Sequence, residues 1–222
     1  MDWDRAVEAL AEIEVRSNQN NEPVTVKGSS KHLHCIGVGT DAAVFRFKEL
    51  PQYAFKLYSE SNLDKMKMEE LVYVRLGQSS YFPTIYGSGP NFLVISYEEG
   101  NTLYDCLLKG IHIPEQAIQD VEDARDYAVS KGLNPRDIHL KNILLHEGRA
   151  KLLDVSEYMK EGNDRRWEQL KAGYEMSYPL IDGKAIPHWI METVRKWYHQ
   201  ENSGNVNIHE FVHKLMSLFK IV

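Results

Sequence analysis

Asp137 and Asn142 lie five residues apart, and Asp154 follows after two apolar runs, Ile143-Leu144-Leu145 and Ala150-Lys151-Leu152-Leu153, split by a turn at His146-Glu147-Gly148. The pattern is a polar loop carrying a carboxylate and an amide, backed by a short hairpin that delivers another carboxylate. Oxygen donors of this kind suit a hard cation such as Mg2+, which takes a few protein oxygens and leaves room for substrate phosphates. A polar turn between two buried strands uses the same residue classes. The decision therefore rests on what the rest of the chain supplies.

Three upstream segments could position a phosphate-bearing ligand. Ile36-Gly37-Val38-Gly39-Thr40-Asp41-Ala42-Ala43-Val44-Phe45 is a strand-turn-strand whose glycines let backbone N–H groups approach an anion without a Cβ in the way. A Gly-x-Gly turn alone is usually just a hairpin. Tyr53-Ala54-Phe55-Lys56-Leu57-Tyr58 alternates as a half-buried strand does and carries a lysine. Met66 to Leu76 has helical spacing, and Glu69 stands three before Val72, four before Tyr73 and seven before Leu76. It therefore shares the buried face and is the better partner for Lys56, with Glu70 the fallback. Phe92-Leu93-Val94-Ile95 is a buried strand leading into Ser96, Tyr97 and Glu98. Gly100 breaks it, and Asn101 or Thr102 can start a helix.

In this order, Gly-rich loop, Lys56, Glu69, Ile95 to Glu98, Asp137, Asn142 and Asp154, the chain resembles the protein-kinase-like superfamily over residues 24 to 180. The resemblance implies an α+β fold with two lobes: a small antiparallel-sheet N-lobe over residues 1–97 and a mostly helical, shortened C-lobe over 98–222. It implies ATP with Mg2+, or Mn2+, as its requirements. Gly37, Val38 and Gly39 would cover the phosphates. Val44, Ala54 and Ile95 would line the adenine, and backbone at Ser96, Tyr97 and Glu98 would meet the base edge. Lys56, held by Glu69, would reach the α- and β-phosphates. Asn142 and Asp154 would hold the metal, and Asp137 would take the proton of an acceptor hydroxyl. His139 would steady the γ-phosphate or the acceptor.

The pattern is closest to the small branches: RIO kinases, the Kae1-associated kinase, and the aminoglycoside and choline phosphotransferases. The sign is His139, two after Asp137, where typical eukaryotic protein kinases carry lysine. Pro135 replaces the histidine of His-Arg-Asp, Asp154-Val155-Ser156 replaces Asp-Phe-Gly, Ala42 stands at the third glycine, and no Ala-Pro-Glu follows. These departures put peptide gripping and loop switching in doubt rather than the phosphate chemistry. A small serine/threonine protein kinase is the leading expectation. A kinase for a small hydroxyl compound and a nucleotide-binding pseudokinase module are the alternatives. Whether the acceptor is protein or small molecule stays open.

Composition narrows little more. The net charge of -6 argues against nonspecific nucleic-acid binding. Cys35 and Cys106 make no disulfide framework, and no apolar run is long enough to span a membrane, so the expected location is the cytoplasm. Among the elements, residues 2–16 read as an amphipathic helix with Trp3, Val7, Leu10 and Ile13 on one stripe, packing on the small lobe. Ser17 to Glu22 reads as a polar linker. Pro114 to Ser130 reads as a helix whose acidic run, Asp120, Glu122, Asp123 and Asp126, is a solvated face. Helices are expected over 163–174 and 187–200, with another apolar stripe from Ile208 to Leu218. Trp167, Trp189 and Trp197 are expected core anchors. His32 and His34, expected on one strand, lack further ligands for a metal site.

Overall fold

A computed structural model of the chain describes residues 3–20 and 22–201. Helix α1 covers Asp4–Leu10, shorter than its periodicity predicts, and the chain then becomes a strand, β1 (Glu14–Arg16), antiparallel to β2 (Thr25–Lys27). The second half of the expected helix is thus corrected. Ile13-Glu14-Val15-Arg16 alternates apolar and polar, so an extended chain buries Val15, and β-branched residues lose rotamer freedom in a helix. The stripe does pack as expected: Leu10 is in the core, with Trp3, Val7 and Ile13 against it. The linker at Ser17 is not merely solvated, because its hydroxyl meets those of Ser59 and Ser61 at 2.6 and 2.8 Å.

Five strands follow: β3 (Leu33–Val38), β4 (Ala42–Phe47), β5 (Tyr53–Tyr58), β6 (Ile85–Ser88) and β7 (Phe92–Ser96). They form one antiparallel sheet in the order β3-β4-β5-β7-β6. His34 lies on β3, while His32 sits in the turn before it and pairs with Glu49. Period-2 alternation divides the sheet's faces. Phe45, Phe47, Phe55 and Leu57 join Ala6, Ala9 and Leu10 in one core, which leaves Lys56 on the opposite face of β5. Between β5 and β6, helix α2 (Leu63–Leu76) buries Met66, Glu69, Val72, Tyr73 and Leu76, an apolar stripe with a carboxylate set into it.

The later elements are β8 (Asn101–Thr102), α3 (Leu103–Lys109), α4 (Glu115–Ser130), β9 (Ile143–His146), β10 (Arg149–Leu152), α5 (Arg166–Ile181) and α6 (His188–Glu201). Strands β8, β9 and β10 make an antiparallel sheet in the order β10-β9-β8. Thr102 and Asp105 close a capping box at the start of α3, which ends at Gly110 in the left-handed region. The chain forms two compact units. One holds Met1–Glu99, Arg125–Pro135 and Leu153–Glu161; the other holds Gly100–Ala124, Arg136–Leu152 and the chain from Gly162 on. No helix among the described residues is long and apolar enough to cross a membrane.

Two expectations about the second unit are corrected. The acidic face of α4 is not simply solvated: Asp120 is only 1% exposed. It accepts from Arg149 Nε and Nη2 at 2.9 and 2.8 Å, from Ala150 N at 2.8 Å and from Gln116 at 2.9 Å, and so ties β10 to α4. Burial raises the Asp120 carboxyl, but these donors outweigh it and hold it below the usual range. Glu122 likewise accepts from the Trp167 indole and from Lys171. Trp167 is buried as expected, whereas Trp189 is 53% exposed and anchors no core there; α6 buries Ile190 and Met191 instead. The side chain of Trp197 and the stripe from Ile208 to Leu218 lie outside the described residues.

Candidate active site

Lys56, Glu69 and Asp154 meet in the first unit. Lys56 Nζ donates to both Glu69 oxygens at 2.7 and 2.8 Å and stands 3.5 Å from Asp154 Oδ2. The neighbouring Glu70 instead accepts from the Ser88 hydroxyl at 2.6 Å. Tyr58, two residues after Lys56 and so on the same face of β5, donates its hydroxyl to Glu69 Oε2 at 2.5 Å. Tyr73, one turn after Glu69, donates to the Leu153 carbonyl at 2.9 Å. Helix α2 therefore holds the lysine through Glu69 and the chain beside Asp154 through Tyr73. Ser156 N closes the arrangement on Asp154 Oδ1 at 3.0 Å.

The electrostatics follow from burial. Glu69 has no exposed surface, and burial, aided by the Asp154 charge, pushes its carboxyl up despite the nearby ammonium. Burial would lower Lys56, yet Asp154 and Glu69 outweigh it and hold the amine above the ordinary lysine range. These tendencies pull opposite ways on one pair. The hydrogen bonds decide it: two oxygens accepting from an ammonium and a phenol belong to an ionised carboxylate. Asp154 is raised by burial, then lowered further by Lys56 and the Ser156 amide, so it too is ionised at neutral pH. The cluster is one cation between two anions, with a net negative charge beside a lysine.

The glycine-rich turn and the β7 exit lie in the same unit. Neither Gly37 nor Gly39 has a positive φ. A Cβ at Gly37 would meet Val44 at 3.9 Å, and one at Gly39 would meet the Ala42 carbonyl at 3.5 Å, both ordinary contacts. Neither a positive φ nor internal packing requires glycine there; the β3–β4 register shifts between Cys35 and Gly37, and Gly39 N donates to the Ala42 carbonyl at 2.9 Å. Val38 and Ile36 are exposed, Val44 is half-buried, and Ala54 and Ile95 are buried. Ser96 N is engaged by the Thr84 carbonyl and Tyr97 N by the Gln52 carbonyl, each at 2.8 Å. The Ser96 hydroxyl donates to Glu98 at 2.5 Å.

Asp137, His139 and Asn142 lie in the second unit. Asp137 has φ 57°, a left-handed conformation that Asp and Asn tolerate better than other non-glycine residues. Such strain, on the order of 1 kcal/mol, concentrates where a side chain must be aimed. Asp137 N donates to Asp164 Oδ2 at 2.7 Å, and Arg166 Nη1 donates to Asp137 Oδ1. Asn142 Nδ2 donates to the Asp137 carbonyl at 3.2 Å, and Asn142 N to the His139 carbonyl at 2.8 Å. Those bonds fold the loop. His139 is half-buried. Among the described residues, no three His, Cys, Asp or Glu side chains are grouped to hold a metal ion.

Sequence reasoning passed over Tyr58, Tyr73, Asp164 and Arg166. The first two were findable, at period 2 from Lys56 and one helical turn from Glu69. Arg166 carried only the signal of a charged run, Asn163-Asp164-Arg165-Arg166, before a helix. No protein-family model matches the chain. Across 197 residues it is 35% identical to a Bacillus subtilis (strain 168) protein named "Putative serine/threonine-protein kinase YrzF", covering 87% of this chain and 91% of that protein. With that identity held over nearly the whole of both chains, this chain belongs to the same kinase-like family.

Proposed function

We propose that this chain is an ATP- and Mg2+-dependent serine/threonine protein kinase on a bilobal kinase-like fold, with residues 1–97 as N-lobe and 98–222 as C-lobe. The observation that carries the reading is the buried Lys56–Glu69 pair with Asp154 beside it. A lysine fixed by two anions on the central strand of a sheet is poised to meet phosphate oxygens, and Arg-like bidentate geometry is not needed for that. Gly37 and Gly39, lacking a Cβ, would let the turn come close to the phosphates, with the Gly39 N–H itself held by the Ala42 carbonyl at 2.9 Å. Ile36, Val44, Ala54 and Ile95 give apolar surface to the base, and Glu98 and the Ser96 carbonyl border its edge. Asp154, which is ionised, and the Asn142 amide oxygen are the kind of oxygen donors Mg2+ takes, and they would hold it while leaving positions for phosphate and water. When bound, Mg2+ would neutralise charge on the phosphates. Asp137 orients the acceptor hydroxyl and takes its proton, and His139 steadies the acceptor or the γ-phosphate.

Nucleotide binding is the first test. Mg-ATP at about a hundred times its dissociation constant should add roughly 2.7 kcal/mol to folding stability, read as a thermal shift. Lys56→Met and Asp154→Ala should shrink that shift. Labelled ATP then identifies the acceptor, with transfer scored separately on proteins and on small hydroxyl compounds. A chain that shows no shift with Mg2+ or Mn2+ nucleotides is not this enzyme.

The glycines give a second, independent test. Gly37→Ala and Gly39→Ala should leave stability within about 0.5 kcal/mol or raise it slightly, because the unfolded chain loses freedom and no clash is created. The same changes should raise the KM for ATP several-fold. Loss of stability with unchanged KM would mean that the glycines serve the hairpin alone.

A further inference from the structure

Arg166 sits where a kinase reading leaves no role for it. Its Nη1 is on Asp137 Oδ1, the carboxylate proposed to receive the hydroxyl proton, and its Nε is 3.8 Å from Asp164 Oδ2. Asp164 also accepts from Asp137 N at 2.7 Å and from Arg166 N at 3.1 Å. The same carboxylate thus anchors both the strained backbone of Asp137 and the base of the arginine. Arg166 is the first residue of α5, so its backbone is fixed while its side chain, 36% exposed, is not enclosed. Nη2 makes no hydrogen bond among the described residues, and the guanidinium presents part of its fork to solvent.

Building on the reading of Asp137 as the proton acceptor, we propose that Arg166 is a specificity residue that selects acceptors bearing an acidic group next to the hydroxyl. With no acceptor present, Arg166 occupies Asp137 Oδ1 and competes with any hydroxyl for that oxygen. A neutral acceptor gives the guanidinium no other partner. A carboxylate or phosphate group does, because a guanidinium fork matches either one bidentately. Arg166 then turns to the incoming anion while Asp164 keeps its base in place, and Asp137 Oδ1 is released. In the step that follows, the hydroxyl proton passes to Asp137, the acceptor oxygen bonds to the γ-phosphorus, and the bond from γ-phosphorus to the β,γ-bridging oxygen breaks to leave ADP. Arg166 also offsets the repulsion that Asp137 and Asp164 would exert on an acidic acceptor. The anion must lie within a side-chain length of the hydroxyl, so on a residue beside the serine in a peptide or on an adjacent carbon in a small molecule.

The test uses the full chain with labelled Mg-ATP and two sets of acceptors. One is an alanine-rich peptide with a single serine, alone or with one glutamate at each position within three residues of it. The other is glycerol against glycerol 3-phosphate. Wild type should favour the acidic member of at least one set by roughly ten- to a hundredfold in kcat/KM, the range of a charge-assisted hydrogen bond. The set in which the preference falls tells a protein acceptor from a small one. Arg166→Gln should erase the preference, lowering kcat/KM on the acidic acceptor and raising it on the neutral one, which no longer competes with the guanidinium for Asp137 Oδ1. Arg166→Lys should keep part of it. A variant that binds Mg-ATP with the wild-type thermal shift, yet loses activity on both acceptors equally, overturns the proposal and makes Arg166 a structural brace. Equal use of acidic and neutral acceptors by wild type overturns it as well. Failure of wild type to transfer phosphate to any acceptor overturns the kinase reading together with it.

Discussion

Asp137→Asn is expected to cut phosphate transfer by on the order of a hundred- to ten-thousand-fold, the usual cost of losing a general base, with Mg-ATP binding intact. The choice of asparagine matters here. Asp137 holds φ 57°, and Asn is among the few residues that tolerate that region, so the backbone stays put. Asn also keeps an oxygen for Arg166 and leaves the backbone bonds to Asp164 and Asn142 in place. Asp137→Ala would remove the same base but would add backbone strain, and its loss of activity would be ambiguous. The measurements are a thermal shift with Mg-ATP and a labelled-phosphate rate on one preparation. A wild-type rate in Asp137→Asn would mean that the proton leaves by another route.

The parts of this chain that were legible in advance are those whose signal is local. Glu69 was placed on the inward face by three apolar residues at helical spacing, and the helix register is the one found. The sheet strands were legible because Phe55 and Leu57 alternate with Lys56. The N-terminal segment misled because Ile13 continues a helical stripe and also opens an alternating one; pairing with β2 decided between them. Asp120 misled for a different reason. Its partners, Arg149 and Ala150, lie about thirty residues on, and nothing near it in sequence distinguishes a buried carboxylate from a solvated one. Arg166 is the same case: its meaning depends on a contact 29 residues away. Polar networks are chosen by tertiary proximity, whereas apolar periodicity is written along the chain.

Glu69→Gln should depress phosphate transfer by tenfold or more, roughly 1.4 kcal/mol at the transition state, while Glu70→Gln should leave both rate and stability within about 0.5 kcal/mol. Among the described residues, Glu70 accepts from the Ser88 hydroxyl alone, which a glutamine can still engage. Glu69 is fully buried and holds Lys56 through two bonds. In a cleft of low dielectric, removing its charge leaves Asp154, at 3.5 Å, as the remaining anion beside Lys56, so the ammonium should swing toward that carboxylate and away from the position proposed for the phosphates. Stability should fall by less than the roughly 3–5 kcal/mol typical of a broken buried pair. Burial already disfavours the Glu69 charge, the glutamine still accepts from Tyr58, and Asp154 keeps the lysine from standing alone. The informative comparison is therefore rate against stability. If Glu69→Gln lost several kcal/mol of stability with an unchanged rate in the folded fraction, the pair would be a structural brace between β5 and α2. A larger rate loss with modest destabilisation makes Glu69 the residue that aims Lys56.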